Sequence, residues 1–145
     1  MRAQVLARDE ETSHLLVFES GDEVVSTLEA FAREHELTAA RFTAIGAFSE
    51  LTLGYFDWER KTYEEIPLAD QVEVLTLAGD IALKGGEPSV HAHVVVGKRD
   101  GSAHGGHLLG ARVRPTLELV LVESPGHLRK EHDPETGLAL IAPRT

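Results

Sequence analysis

Residues 72–79 read Val-Glu-Val-Leu-Thr-Leu-Ala-Gly, and residues 90–96 read Val-His-Ala-His-Val-Val-Val. Both runs are rich in apolar and β-branched residues, and the segment between them carries glycine and proline, which is typical of strands separated by a turn. We therefore predict two strands in the middle of the chain.

Four further runs around this centre also predict strands. One is fully apolar except for Glu118 and has the character of a buried strand. Another, Ala40–Phe48, carries a glycine break at Gly46, and the run Leu51–Asp57 could pair back with it. The four predicted strands are His14–Phe18, Ala40–Phe48, Leu51–Asp57 and Leu117–Val122.

One amphipathic helix is predicted from Asp22 to Glu36. Its apolar residues recur at spacings of three and four and form one stripe, and Ser20-Gly21-Asp22 offers a cap. One helix followed by many short strands predicts an α+β fold with a mainly antiparallel sheet. The loops are predicted at Lys84–Pro88, which has the most flexible composition, and at Ser124–His127 and Asp133–Gly137.

The chain has 145 residues, no cysteine and a formal net charge of −10. This length predicts a single domain over residues 1–145. The lack of cysteine excludes disulfides, thiolate nucleophiles and iron–sulfur clusters. We expect a cytoplasmic protein without a membrane span, because no apolar run approaches about 20 residues and the N-terminus has no apolar signal segment.

His91 and His93 are the strongest candidates for a functional site. Residues i and i+2 of a strand lie on the same face, so both imidazoles can approach one metal ion. His107 follows after a Gly97–Gly101 turn and after two glycines, and a hairpin would return it beside this pair. His104 competes with His107 for this role.

Three imidazoles with an open position form the ligand set of a catalytic type of zinc site. We therefore expect a divalent metal, with zinc first, while nickel, iron and copper also accept imidazole ligands. The other four histidines are expected at the surface or at caps; they are His14, His35, His127 and His132.

Two glutamates lie in otherwise apolar runs. Glu73 and Glu118 either face solvent or form partly buried carboxylates. A buried Glu73 could orient a histidine ring or handle a proton. No phosphate-binding glycine loop and no nucleophile elbow occurs in the sequence.

The order of three segments resembles the PPC (plants and prokaryotes conserved) domain. These are Gln71–Gly79, His91-Ala92-His93-Val94 and Gly105-Gly106-His107-Leu108, preceded by the helix and by Ile45-Gly46-Ala47. The resemblance extends from about Ser13 to Ile141. It implies an α+β fold, a homotrimer, and His91, His93 and His107 as metal ligands, with Glu73 matching the family's glutamate, which could support a ligating histidine from behind.

The resemblance also implies a possible association with DNA, because in plants this domain follows AT-hook motifs in nuclear DNA-binding proteins. This chain has no AT-hook, and its net charge of −10 disfavours contact with phosphates. Three hypotheses follow: a metal-binding protein with a metal-assisted role, a trimeric regulatory module associated with DNA, or a metal that only holds the subunits together. The sequence names neither a reaction nor a catalytic residue.

Overall fold

The computed structural model describes residues 1–8, 11–124 and 126–142. For residues 2–8 it describes only the backbone. The described part contains nine strands and one helix, which confirms the predicted mainly antiparallel α+β fold. In chain order the elements are β1 (Arg2–Arg8), β2 (Thr12–Glu19), α1 (Val24–Glu34), β3 (Ala39–Asp57), β4 (Thr62–Leu68), β5 (Val72–Lys84), β6 (Glu87–Gly97), β7 (Ala103–Glu123), β8 (Arg129–His132) and β9 (Ala139–Ile141).

The strands form one sheet with the order β1-β2-β7-β3-β5-β8-β9. Strand β4 pairs with β3, and β6 pairs with both β5 and β7. Strands β3, β5, β6 and β7 therefore close a ring of pairings, all of them antiparallel. Only the short β5–β8 pairing is parallel among the described strands.

Strand β3 corrects one sequence prediction. The sequence predicts two strands, Ala40–Phe48 and Leu51–Asp57, that pair back on each other, but Ala39–Asp57 is one strand of 19 residues. Its register shifts between Ala44 and Gly46, where Gly46 has φ +155°. A Cβ atom at Gly46 would lie 2.3 Å from the Thr116 carbonyl oxygen. The glycine thus lets the strand continue through an irregularity instead of ending it.

Helix α1 follows the predicted stripe and buries Val24, Leu28, Phe31 and Ala32, on a side that meets β6 and β7. Its N-cap is Glu23, not the Ser20-Gly21-Asp22 segment. The Glu23 carboxylate accepts hydrogen bonds from the backbone of Ser26 at 2.7 Å and Ala111 at 3.2 Å. The cap therefore also joins the helix to β7.

His14 is buried, with 4% of its surface exposed, and its predicted place at the surface is wrong. Strand alternation explains this, because His14 shares the inward face of β2 with Leu16 and Phe18. Its ring packs edge-on against Phe31 and His35. His35 is the C-cap of α1, as a capping role predicts, and its Nδ1 lies 3.0 Å from the Phe31 carbonyl oxygen.

The segment expected to be most flexible is a tight turn. Lys84 pairs with Glu87 across Gly85 and Gly86, which have φ values of +62° and +92°. Positive φ at both central residues suits a two-residue hairpin turn. Asp133–Gly137 is a turn between β8 and β9, as predicted. Of the predicted Ser124–His127 loop, Pro125 lies outside the described residues.

No helix in the described ranges is long and apolar enough to span a bilayer.

Candidate metal centre

The β6–β7 hairpin places His107 directly opposite His93. The turn between the strands is closed by two backbone hydrogen bonds, from Lys98 to Ser102 at 2.8 Å and from Gly101 to Lys98 at 2.9 Å. His91 lies two residues before His93 and so projects from the same face. The hairpin that the sequence predicts is therefore present, with the register that the site needs.

The three imidazole rings converge on one point. Their ring centroids are 5.2 Å apart for His91 and His93, 5.2 Å for His91 and His107, and 5.3 Å for His93 and His107. One nitrogen from each ring lies within 4.8 Å of the other two. Nitrogens that share one zinc ion lie roughly 3.3 Å apart for Zn–N bonds of about 2.0–2.1 Å, so a small closure of the rings suffices.

The two glycines before His107 act through close packing, not through positive φ. A Cβ atom on Gly105 would lie 3.1 Å from the Val94 carbonyl oxygen, and one on Gly106 would lie 3.0 Å from the Gly54 carbonyl oxygen. Neither glycine has a positive φ. Their lack of a side chain therefore lets β7 pass close to both neighbouring strands just before the third histidine.

His107 and His93 are held in the neutral form that binds a metal. Burial lowers the pKa of His107 to about 4, assisted by the neighbouring His91, His93 and Lys130. Burial also lowers the pKa of His93, again with a contribution from His91. At neutral pH these rings therefore carry free nitrogen lone pairs.

Asp80 is the carboxylate that contacts the histidine group. Its Oδ2 lies 3.3 Å from His91 Nδ1, and its Oδ1 lies 3.2 Å from the Lys130 ammonium. Burial raises the pKa of Asp80, but the hydrogen bond from His91 and the charge of Lys130 outweigh burial and hold this pKa below its usual value. The ionised carboxylate draws the His91 proton to Nδ1 and leaves Nε2 free, an arrangement common behind metal-bound histidines.

The Tyr63 ring packs against one face of the His107 ring. The two rings are stacked, with centroids 4.4 Å apart and planes 20° from parallel. Space for the tyrosine comes from Gly54, where a Cβ atom would lie 2.8 Å from Tyr63 Cδ1. Gly54 also pairs with His107 across β3 and β7. The sequence analysis singled out neither residue. Tyr63 lies on β4, a strand that the sequence did not predict.

The remaining sequence candidates lie apart from this group. Glu73 is exposed and pairs with Ala47 and Gly97 at the opposite end of β5 from Asp80. His104 is exposed, opposite Val96, and its odd spacing from His107 puts it on the other face of β7. Glu118 faces solvent, while His127 and His132 are exposed, as expected.

The histidine group fits a metal by one further observation. His107 Nδ1 is buried and has no hydrogen-bond partner among the described residues. A buried polar nitrogen without a partner is costly, and a cation offers such a nitrogen a ligand bond. Three neutral imidazole donors suit borderline divalent cations such as zinc. The group His91, His93 and His107 could therefore hold a metal ion.

Three solved structures resemble this chain over most of its length. A metal-containing protein of Archaeoglobus fulgidus has a TM-score of 0.84 and 35% identity, covering 90% of this chain and 93% of its own. The PPC protein of Pyrococcus horikoshii has a TM-score of 0.87 and 31% identity, covering 99% and 96%. A candidate DNA-binding protein of Ralstonia eutropha JMP134 has a TM-score of 0.85 and 35% identity, covering 90% and 91%.

A segment of a much longer protein is also similar. The bifunctional protein GlmU of Synechococcus sp. (strain JA-3-3Ab) is 33% identical over 120 residues, which make up 81% of this chain but 18% of GlmU. The chain thus spans less than a fifth of that relative. Residues 6–125 match the Plants and Prokaryotes Conserved (PCC) domain, also abbreviated PPC. This match and the shared sheet architecture show that the chain belongs to the PCC domain family.

Proposed function

We propose that this protein binds one divalent metal ion per chain through His91, His93 and His107, and that this ion is zinc in preference to nickel, iron or copper. The observation that carries the proposal is the convergence of one nitrogen from each ring within 4.8 Å. The similarity to the metal-containing Archaeoglobus protein supports it. Three protein ligands leave further coordination positions for a small molecule, which favours a metal-assisted role over a purely structural one.

The residues around the site have separate tasks in this proposal. His93 and His107 are neutral at physiological pH and bind without losing a proton. Asp80 fixes the His91 ring by accepting a hydrogen bond from its Nδ1–H, and Tyr63 packs against His107. When bound, the cation would supply Lewis acidity toward an oxygen ligand.

Metal analysis of untagged protein tests this proposal. We expect zinc close to one equivalent per chain by elemental analysis, and a loss of affinity of about 100-fold or more for His91→Ala and His107→Ala. The matched control is His104→Ala, which removes an exposed histidine from the same hairpin and should leave affinity unchanged. A wild-type protein that takes up no zinc, nickel, iron or copper would refute the proposal.

A second candidate is a regulatory module that associates with DNA, favoured by the similarity to the candidate DNA-binding protein of Ralstonia. The net charge of −10 works against it. Duplex binding measured across salt concentrations decides the matter. Binding that is specific and falls steeply with salt supports this candidate, whereas no binding at low salt removes it.

We also propose that the chain assembles as a homotrimer. Four exposed apolar side chains support an interface; they are Ile45, Leu75, Val95 and Val120. They lie on four neighbouring strands, since β3 pairs with both β7 and β5, and β5 pairs with β6. Val120 lies opposite Thr43 of β3, two residues before Ile45, and Val95 lies opposite Thr76 of β5, next to Leu75. Thr43 in turn lies opposite Ala78 of β5. Ala78 in turn pairs with His93. The assembly surface would therefore adjoin the histidine group.

A further inference from the structure

Two members of the histidine group, His91 and His107, line a cavity of about 460 Å³. His91, His107 and Tyr63 line one side of this cavity, and residues 138–141 of the β8–β9 hairpin line another. Cavities of roughly 300–1,000 Å³ hold small organic molecules. Space for a ligand therefore exists directly beside two of the three imidazoles, those of His91 and His107.

Lys130 provides a buried cation in the cavity wall. Its side chain is 5% exposed. Its ammonium binds Asp80 Oδ1 at 3.2 Å and donates to the Ser89 carbonyl oxygen at 3.3 Å. An ammonium has three N–H donors, so the partners that the described residues supply leave at least one donor for a ligand.

The cavity is positive although the whole chain is strongly acidic. Lys84 lies in the same wall as Lys130, and Asp80 is the only carboxylate among the described residues that line the cavity. Neutral imidazoles would add no negative charge to balance a divalent cation. The electrostatic field therefore favours an anion at this place, with the buried Lys130 screened least by solvent.

The remaining walls indicate which anion fits. Leu138, Ala139, Leu140 and Ile141 present apolar surface to the cavity, and no arginine lines it among the described residues. A phosphate group usually requires several donors, often from arginine. A carboxylate is satisfied by fewer donors, and an aliphatic chain attached to it can pack against the hairpin.

We propose that this cavity binds small aliphatic carboxylates, with the carboxylate on Lys130 and the carbon chain against the β8–β9 hairpin. This inference deepens the proposed function, since it names the substrate class of the same site. A metal ion on the three histidines would add a second anchor for the anion. Lys84, at an exposed position in the wall, strengthens the field without being essential.

Calorimetric or NMR titration of the zinc-loaded protein with acetate, butyrate, hexanoate and neutral butyramide tests the inference. Affinity should rise from acetate to hexanoate, because each added methylene buries apolar surface, and butyramide should not bind. Lys130→Met should weaken butyrate binding by about tenfold or more. Lys84→Met, which changes an exposed residue, should weaken it by a smaller factor and provides a variant with little risk to folding.

The control is Lys98→Met, which removes the same charge from the Lys98–Asp70 ion pair in another part of the sheet and should leave butyrate affinity unchanged. Equal affinity of wild type, Lys130→Met and Lys84→Met would assign the carboxylate to the metal alone and overturn the inference. Equal binding of acetate and hexanoate would remove the hairpin from the site.

The same titration on chelator-treated protein separates the two proposals. We expect weaker butyrate binding that still depends on Lys130. A chain that never takes up metal but binds butyrate through Lys130 contradicts only the proposed metal function. A chain that binds one zinc ion but shows no butyrate binding contradicts only the carboxylate inference.

Discussion

At the scale of single residues, Asp80 decides which nitrogen of His91 is free. The 3.3 Å contact between Asp80 Oδ2 and His91 Nδ1 fixes the tautomer and the orientation of the ring. Lys130 holds the second carboxylate oxygen. The carboxylate therefore orients the His91 ring and leaves its Nε2 free to bind a cation.

Replacing Asp80 by asparagine should lower zinc affinity by about 10-fold to 100-fold, the usual effect of losing such a partner. The reason is that the amide no longer favours the His91 Nδ1–H tautomer. Competition titration with a zinc chelator measures the change. Glu73→Gln, at the other end of β5, is the matched control and should have no effect; a larger effect of Glu73→Gln than of Asp80→Asn would contradict the placement.

Gly54→Ala should disturb the site through Tyr63. The new Cβ would lie 2.8 Å from Tyr63 Cδ1 and 3.3 Å from Leu109 Cδ1, so the tyrosine must leave its stacked position on His107. We expect a loss of about 1–3 kcal/mol in unfolding free energy, measured by urea denaturation. In a Tyr63→Ala background the same change should cost clearly less, and an equal cost in both backgrounds would show that the tyrosine is not the obstacle.

The sequence predicts the three histidines because their signal is local. His91 and His93 share a face by strand alternation, and the Gly97–Gly101 turn returns His107 beside them. Asp80, Tyr63 and Lys130 carry no such signal, since each comes from a different strand and meets the site only through sheet pairing. Glu73 stands out in the sequence because it interrupts an apolar run and matches the family glutamate, but its pairing at the far end of β5 separates it from the histidines.

At the scale of elements, helix α1 is attached to the sheet through its cap. The Glu23 carboxylate accepts from Ser26 Oγ at 2.6 Å, from the Ser26 backbone at 2.7 Å and from the Ala111 backbone at 3.2 Å. Burial pushes the pKa of Glu23 upward, but these hydrogen bonds outweigh burial and lower the pKa below its ordinary value. The ionised cap therefore stabilises the folded chain.

Glu23→Gln should cost about 1–2 kcal/mol of unfolding free energy at pH 7. Because the folded-state pKa is lowered, this stabilisation is present above the unfolded pKa of about 4.3 and disappears as pH falls through the folded value. Urea unfolding at pH 7 and near pH 3 should show the difference shrinking. Glu34→Gln, an exposed control in the same helix, should differ little from wild type, and a constant cost of Glu23→Gln at both pH values would contradict the account.

Strand identities are better predicted than strand lengths. The runs at 72–79, 90–96 and 117–122 all lie within strands β5, β6 and β7, but β7 extends over 21 residues. Strand β7 contains Gly105, Gly106, Gly110 and Pro115, residue types that are unfavourable inside strands. Strand β7 nonetheless continues through them, pairing with β6 over residues 103–107, with β3 from His107 to Glu123 and with β2 over residues 116–123.

At the scale of the whole molecule, four exposed apolar side chains of β3, β5, β6 and β7 form a candidate contact surface on a strongly acidic chain. Val120 is 41% exposed and Ile45 is 62% exposed. Contiguous exposed apolar residues mark interaction surfaces. Burial of this surface between copies of the chain would also shield the exposed ring of His93.

Val120→Asp should therefore convert an assembly of three times 15.8 kDa into single chains, as measured by light scattering. The control is Ile66→Asp, which places the same charge on an exposed isoleucine of β4 and should leave the mass unchanged. Wild-type protein that runs as a single chain would contradict the trimer. A trimer that persists after chelation would show that the metal is not what holds the subunits together.

Three imidazoles hold one metal ion in the proposed site. Anomalous diffraction at the zinc edge, from crystals of untagged protein grown with zinc, tests it most directly. We expect one anomalous peak per chain about 2.0–2.1 Å from a nitrogen of each of His91, His93 and His107. A peak bound by other residues, or no peak between these rings at full zinc occupancy in solution, would contradict the account.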